Sequence, residues 1–140
     1  MKMKRFFSFV LSIACLAVLC VPASATTEAS YQIAAYSMNV TPLSGAFEIY
    51  FDVIAAGEAD KLGCESIYLY RLVDSYWVPV KSQTKLEDDP GMSLTKAYAH
   101  SNFIQCSSLS GEFYKIEVTI FAVNSYGRDT RSKTFYYVGE

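Results

Sequence analysis

Apolar residues occupy every second position between residues 114 and 122, with mainly polar residues between them, and this alternation constrains the chain more than any other feature. One set of alternate side chains is apolar or aromatic: Tyr114, Ile116, Val118, Ile120 and Ala122. The set between them is Lys115, Glu117, Thr119 and Phe121. Successive side chains of a β-strand point to opposite faces, so a repeat of two predicts a strand with one buried face. No long stretch of the remaining chain has the repeat of a helix.

The same alternation recurs along the chain and predicts an antiparallel sheet. Strands are predicted at residues 31–40, 46–55, 66–73, 76–80, within 93–100, 103–106, from 114, and 130–138. Turn or loop residues separate them at 41–45, 56–63, 74–75, 87–91 and 124–127. Pro79 cannot donate to a strand ladder, which predicts an edge position for its strand. About seven strands at roughly ten-residue spacing predict an all-β fold, a single antiparallel β-sandwich.

The stretch from Tyr114 through Asn124 to Gly127 resembles the penultimate strand of a fibronectin type III domain. In that family a tyrosine opens the strand, aliphatic residues alternate, and an Ala-x-Asn-x-x-Gly sequence leads into the last strand. The resemblance implies an immunoglobulin/fibronectin III-like sandwich in which Tyr114 contacts backbone upstream of its strand. Phe51 stands nearest to the position of the family's tryptophan. The layout is also similar to that of small exported bacterial proteins, and neither resemblance implies an activity.

The N-terminus has the pattern of a secretory signal peptide. Three basic residues lie within the first five positions, an apolar run covers residues 6–21, and Ala23-Ser24-Ala25 follows. The pattern predicts cleavage after Ala25, which leaves residues 26–140 as one secreted domain. An uncleaved anchor is the alternative, although the run is shorter than the roughly 20 residues that span a bilayer. A lipoprotein at Cys20 is disfavoured because Leu19 is too large for the usual small-residue pattern.

Cleavage would leave 9 basic residues and 14 acidic residues, a net charge of −5. This balance argues against nucleic acid or an anionic membrane surface as the main partner, since both need clustered Lys and Arg. No apolar segment of spanning length follows residue 25.

Two cysteines remain after cleavage, Cys64 and Cys106. An even number in an exported chain predicts a disulfide between them, worth about 4 kcal/mol in the chain-entropy model. Two buried free thiols are the alternative. One histidine and no Cys-x-x-Cys spacing predict no metal site and no cofactor.

No catalytic arrangement emerges from the titratable residues, and we expect a protein that is not an enzyme. His100 stands alone, with no nucleophile at a recognisable spacing. Glu48 and Asp52 share an outward face but lie about 13 Å apart by strand rise, which favours solvated surface charge over glycosidase work. The acidic turn at residues 87–89 lacks the alternating order of a calcium loop.

Exposed aromatic residues are the remaining functional signal. If Ile67 and Leu69 point inward, Tyr68 and Tyr70 point outward, and Trp77 follows the next turn. We expect Tyr68, Tyr70 and Trp77 to form a contact surface for a protein or a carbohydrate at a cell surface. Cross-strand tyrosines that only stabilise the sheet are the alternative. Two further functions stay open, a structural exoprotein that assembles through its edge strands and, least favoured, a small hydrolase. The oligomeric state is not specified by the sequence.

Overall fold

The computed structural model describes residues 31–81 and 84–140, and every regular element in this part of the chain is a β-strand. The strands are β1 (Ile33–Leu43), β2 (Ala46–Val73), β3 (Tyr76–Pro79), β4 (Lys85–Leu86), β5 (Ser93–Ser107), β6 (Phe113–Asn124) and β7 (Gly127–Val138). All strand pairs are antiparallel, so the prediction of an all-β antiparallel fold is confirmed. The predicted signal peptide, residues 1–25, lies outside the described residues. Nowhere in those residues is there a helix with the length and hydropathy needed to cross a membrane.

β2 is a strand of 28 residues that organises the whole sheet. Its first part, up to residue 55, pairs with β1 on one side and with β5 on the other. From residue 61 onward it pairs with β6 on the first side. On its other side it pairs in turn with the start of β5, with β4 and with β3. One hydrogen-bonded sheet therefore contains all seven strands, in the order β1-β2-β6-β7 with β3, β4 and β5 along the other side of β2.

The predicted loop at residues 56–63 is wrong, because this stretch continues β2. The pairing with β5 shifts register between Ile54 and Ala59, and the pairing with β6 shifts between Cys64 and Ser66. Bulges of this kind leave residues unpaired and bend a strand without ending it. The polar residues and glycines of this stretch therefore mark the bend of a long strand.

Three other strands also differ from the predicted limits. β1 continues through Pro42, which pairs with Phe47, so only Ser44 and Gly45 are left to turn the chain. Gly45 has a positive φ of 74°, as a tight reversal requires. β5 is one strand where two short pieces were predicted, and β7 begins at Gly127. The edge position expected for Pro79 is confirmed, since β3 pairs with β2 alone.

The sheet curls so that the two parts of β2 contribute to one core. Phe47, from the first part, meets Tyr114 of β6 edge to face, with 5.1 Å between ring centroids. The inward side chains of both parts are buried, including Phe47, Ile49, Phe51, Val53, Leu62, Ile67, Leu69, Ile116, Val118 and Ile120. Burial of these side chains contributes about 25 cal/mol per Å² of apolar surface removed from water, and it is the main contribution that stabilises the curled sheet.

Polar contacts tie β1 to β7, the two strands at the ends of the sheet order. The backbone N–H of Ile33 donates to the carboxylate of Asp129 over 3.3 Å, and Lys133 Nζ donates to the Met38 carbonyl over 3.4 Å. Asp129 is buried and forms an ion pair with Arg131. These contacts link strands that share no ladder and so hold the curled sheet together at this side.

Tyr114 opens β6 with a contact to upstream backbone. The backbone N–H of Leu109 donates to its hydroxyl oxygen over 2.9 Å, across five residues of sequence. The tyrosine itself is buried against Phe47. This contact is the one that the fibronectin type III resemblance implied for Tyr114.

Candidate binding surface

The outward face of the second part of β2 carries the tyrosines that the sequence selected. Ile67 and Leu69 are fully buried, whereas Tyr68 is 37% exposed and Tyr70 is half-buried. The expected alternation at residues 67–70 is therefore confirmed. The rings of Tyr68 and Tyr70 lie on the same side of the strand, with 6.5 Å between centroids.

A tight hairpin turn brings Trp77 onto this face. Asp74 and Ser75 both have positive φ, 48° and 70°, which is the conformation of a two-residue type I′ turn. That turn pairs Leu72 with Trp77, so Trp77 shares the outward face of Tyr70. The indole contacts the ring of Tyr136 on β7, with 5.9 Å between ring centroids.

The four rings form one surface, which we call the aromatic platform: Tyr68, Tyr70, Trp77 and Tyr136. The strand register aligns Tyr70 of β2, Lys115 of β6 and Tyr136 of β7 in one row. The Lys115 ammonium lies 4.2 Å from the centroid of the Tyr70 ring and 5.9 Å from that of Trp77. Lys115 therefore occupies the middle of the platform, where cation–π attraction favours its charge.

Glu117 completes the polar part of the platform. Its carboxylate forms an ion pair with Lys115 over 2.9 Å, and this hydrogen bond raises the pKa of Lys115. Burial raises the pKa of Tyr70, and the nearby negative charge of Glu117 raises it further. At neutral pH the platform thus combines a protonated tyrosine, an ammonium group and a carboxylate within a set of aromatic rings.

The platform exposes ring surfaces beside a charged pair. Tyr68 and Trp77 are each 37% exposed and Tyr136 is 64% exposed, so three ring surfaces are open to a partner. Aromatic rings stack on flat apolar faces, and the charged pair supplies a donor and an acceptor at their edge. In residues 31–81 and 84–140 no group of three or more His, Cys, Asp or Glu side chains is placed to hold a metal ion.

Tyr136 is the member of the platform that the sequence analysis did not select. The sequence contains a signal for it, because the Asn124–Gly127 hairpin fixes the register that pairs Lys115 with Tyr136, nine residues from the turn on each strand. Tyr126 lies in the turn at the opposite end of β6 and is not part of the platform. Tyr76 pairs with Val73 and so has the opposite orientation to Trp77.

The predicted disulfide between Cys64 and Cys106 is not formed, and both cysteines are buried. Cys106 pairs with Phe47 near the start of β2, whereas Cys64 lies in the second part of β2 opposite Ile120. The Cys64 thiol lies 3.3 Å from the Thr119 carbonyl oxygen and 3.5 Å from that of Ser66, so it is satisfied by its own sheet. The even number of cysteines does not predict a disulfide here, because the strand register places the two residues on different parts of the sheet.

Burial determines the chemistry of both thiols. It raises the pKa of Cys64 to about 12, against the weaker opposing effect of its hydrogen bonds to backbone carbonyls. Burial also raises the pKa of Cys106, which Lys85 partly offsets. Both thiols are therefore protonated at neutral pH, the form that is a poor nucleophile.

The other titratable residues singled out in the sequence make contacts of their own, and the acidic turn lies beside Tyr68 at the margin of the platform. A ring nitrogen of His100 lies 2.7 Å from the Gly91 carbonyl oxygen, and its ring contacts Phe51. The acidic turn is neutralised by cations: Lys61 lies 2.8 Å from Asp88, and Arg128 lies 2.5 Å from Glu87.

Glu48 and Asp52 both lie on the first part of β2, four pairs apart in the ladder with β5. Glu48 pairs with Gln105 and Asp52 pairs with Ser101. The ladder keeps the two carboxylates separate, as strand rise predicted.

Comparisons of the chain with protein-family models, with curated proteins and with solved structures found no match.

Proposed function

We propose that this chain is an exported, non-enzymatic binding module that recognises carbohydrate at a cell surface through the aromatic platform. The observation that carries the proposal is the convergence of Tyr68, Trp77 and Tyr136, from three different strands, on one outward face around the Lys115–Glu117 pair. A sugar ring presents an apolar face that stacks on an aromatic ring, and its hydroxyls accept from an ammonium and donate to a carboxylate. The platform offers both kinds of contact side by side.

Its fixed geometry supports binding over a role in sheet packing alone. Tyr70 and Lys115 are held by the cation–π contact and by Glu117, so ring and charge are ordered before a ligand arrives. Preorganised side chains lose less conformational entropy on binding. Export follows from the N-terminal pattern of residues 1–25, which is the basis for placing the ligand outside the cell.

We further propose that the curled sheet is an immunoglobulin or fibronectin type III-like sandwich. Two features support it, namely the core enclosed between the two parts of β2 and the contact of Tyr114 with upstream backbone. The continuous passage of β2 and β5 through both parts departs from the usual separation of strands between sheets.

Cosedimentation of the purified chain with insoluble polysaccharides and cell-wall preparations tests the carbohydrate proposal. We expect saturable binding to one of them, weakened about tenfold or more when Tyr68→Ala and Trp77→Ala are combined. Tyr50→Ala is the matched control, because Tyr50 also points outward from β2 and is 38% exposed, against 37% for Tyr68. Equal loss in the control variant, or undiminished binding in the double variant, would refute the assignment. If the chain binds a purified protein and none of the polysaccharides, the platform would instead be a binding site for a protein partner.

Self-assembly through an edge strand is a second candidate, favoured by β5. This strand of 15 residues pairs only with β2, which leaves its other side without a strand partner in the described sheet. Leu94, Tyr98 and Phe103 are exposed along it. A long apolar edge of this kind favours pairing with another chain. Light scattering that shows growth of assemblies with concentration would support this candidate, and a monomer at all concentrations would eliminate it.

A further inference from the structure

A cavity of about 270 Å³ lies at one end of the curled sheet, on its inner side. Its walls come from the end of β2, from β3, from the start of β6 and from the segment that follows β5. The apolar part of the lining includes Val78, Pro79 and Leu109, and the polar part includes Arg71, Ser108 and Tyr114. Its volume is just below the roughly 300–1,000 Å³ range of ligand sites, which suits a small ligand.

Arg71 brings a positive charge into the wall of this cavity. It continues the inward alternation of Ile67 and Leu69, and its cross-strand neighbours are Tyr114 and Val78. Arg128 and Arg131 each form ion pairs, whereas no carboxylate of residues 31–81 and 84–140 lies within ion-pair distance of Arg71. A half-buried guanidinium without a counter-charge gains stability when an anion enters.

Ser108 adds an unused polar group. The residue is 8% exposed, and its hydroxyl oxygen has no hydrogen-bond partner among the described residues. A buried hydroxyl left unsatisfied costs roughly 1–3 kcal/mol. The hydroxyl oxygen itself is buried, and rotation about the Cα–Cβ bond to another staggered position changes its direction, so an acceptor in the cavity that it then meets would recover that cost.

Tyr114 supplies a third donor. Its hydroxyl oxygen already accepts the N–H of Leu109 over 2.9 Å, and its O–H proton is available for a second bond. Arg71, Ser108 and Tyr114 therefore all carry donors, and among the described residues no acidic side chain lines the cavity. This combination favours a ligand that has an apolar group at one end and, at the other, an anionic group that only accepts hydrogen bonds.

We propose that this cavity binds a carboxylate carried on a short apolar group, with Arg71 as its charged partner. The hydroxyls of Ser108 and Tyr114 donate to the carboxylate oxygens, and the apolar group lies against Val78, Pro79 and Leu109. One planar guanidinium matches one carboxylate in a two-bond arrangement, which suits this cavity better than a larger anion. The carboxylate can belong to a small free acid or to the C-terminus of a peptide with an apolar last residue.

Titration of the isotopically labelled full chain by NMR distinguishes these sources. One arm uses 4-methylpentanoate with 4-methylpentanamide as its neutral control, and the other uses a leucine-terminated tripeptide with its C-terminal amide. We expect saturable shifts at the backbone amides of Ser108 and Leu109 with at least one of the two acids, and none with either amide. Shifts with 4-methylpentanoate alone identify a small free acid as the ligand, and shifts with the tripeptide alone identify a peptide C-terminus. No saturable shift with either acid, or equal shifts with the amides, would overturn the proposal.

Two substitutions separate binding from folding. Arg71→Met keeps the length of the side chain without the charge, and we expect affinity to fall roughly tenfold or more. Ser108→Ala removes a hydroxyl that has no partner, so the folded state should be as stable or more stable while the affinity falls. Lower stability of Ser108→Ala with unchanged affinity would contradict the role given to this hydroxyl. Tyr68→Ala on the outward platform should bind the acid as the unsubstituted chain does, which keeps this site distinct from the platform.

Discussion

Gly63 is a position where one added methyl group should strongly destabilise the fold. It lies where β5 and β6 both pair with β2, opposite Ser93 and Phe121, and its φ is +148°. A Cβ built there would lie 2.2 Å from the Met92 carbonyl oxygen and 2.7 Å from Ser93 Cα. Both are backbone atoms, and the Met92 carbonyl also accepts the N–H of Cys64 over 2.8 Å. The neighbouring strand would have to move, because no flexible side chain can give way.

The expected cost of Gly63→Ala combines two effects. Insertion of a methyl group into a packed site costs roughly 1–3 kcal/mol, and an unfavourable φ adds roughly 1–2 kcal/mol. A loss of roughly 2–5 kcal/mol is a large fraction of the 5–15 kcal/mol typical of a domain. Urea unfolding followed by far-UV circular dichroism measures it as a lower transition midpoint at constant slope.

Gly57→Ala is the matched control for Gly63→Ala. Gly57 lies in the same long strand, but no heavy atom lies within 4 Å of a Cβ built there, and its φ is not positive. We expect its free energy of unfolding to stay the same or to rise by about 0.4–1 kcal/mol. A Gly63→Ala chain as stable as Gly57→Ala would refute the close packing of β5 against β2 at this point.

Two further predictions concern the cysteine and the hairpin turn. The Cys64 thiol has a pKa of about 12 when folded and an ordinary value of 9.0, so the unfolded chain loses this proton first as pH rises. The stability that the protonated Cys64 thiol contributes is fully present below pH 9 and is lost as the pH rises toward 12. The free energy of unfolding falls by about 2 kcal/mol by about pH 10.5 for this reason. Between about pH 8 and about pH 10.5, the free energy of unfolding measured in urea should therefore decrease less for Cys64→Ala than for the unsubstituted chain. Equal decreases in the two chains would contradict the burial of the thiol. Ser75 adopts a φ of 70° in the type I′ turn, so Ser75→Gly should raise the free energy of unfolding by about 0.5–1 kcal/mol and Ser75→Ala should not. Thermal unfolding checks this difference, and a glycine variant less stable than the alanine variant would rule out the turn conformation.

The sequence by itself determined the strands with clean alternation and the registers of short hairpins. Alternation at residues 67–70 assigned Tyr68 to the outward face, because a strand reverses side-chain direction at every residue. Turns of two residues at 74–75 and 125–126 fix which residues pair across β2–β3 and β6–β7. The position of Trp77 beside Tyr70, and of Tyr136 beside Lys115, therefore follows from local sequence.

The tertiary structure alone decided how those strands combine. Residues 56–63 contain charged residues and glycine, yet they remain in β2, because β5 and β6 supply hydrogen-bond partners from 20 or more positions beyond Val73, where β2 ends. The same long-range register places Cys64 and Cys106 apart, although cysteine number predicted a bond. It also brings Ser108 and Leu109 to Arg71, which forms the proposed carboxylate site. Local sequence specifies side-chain direction and turn geometry, whereas contacts between distant segments depend on the curl that buries the shared core.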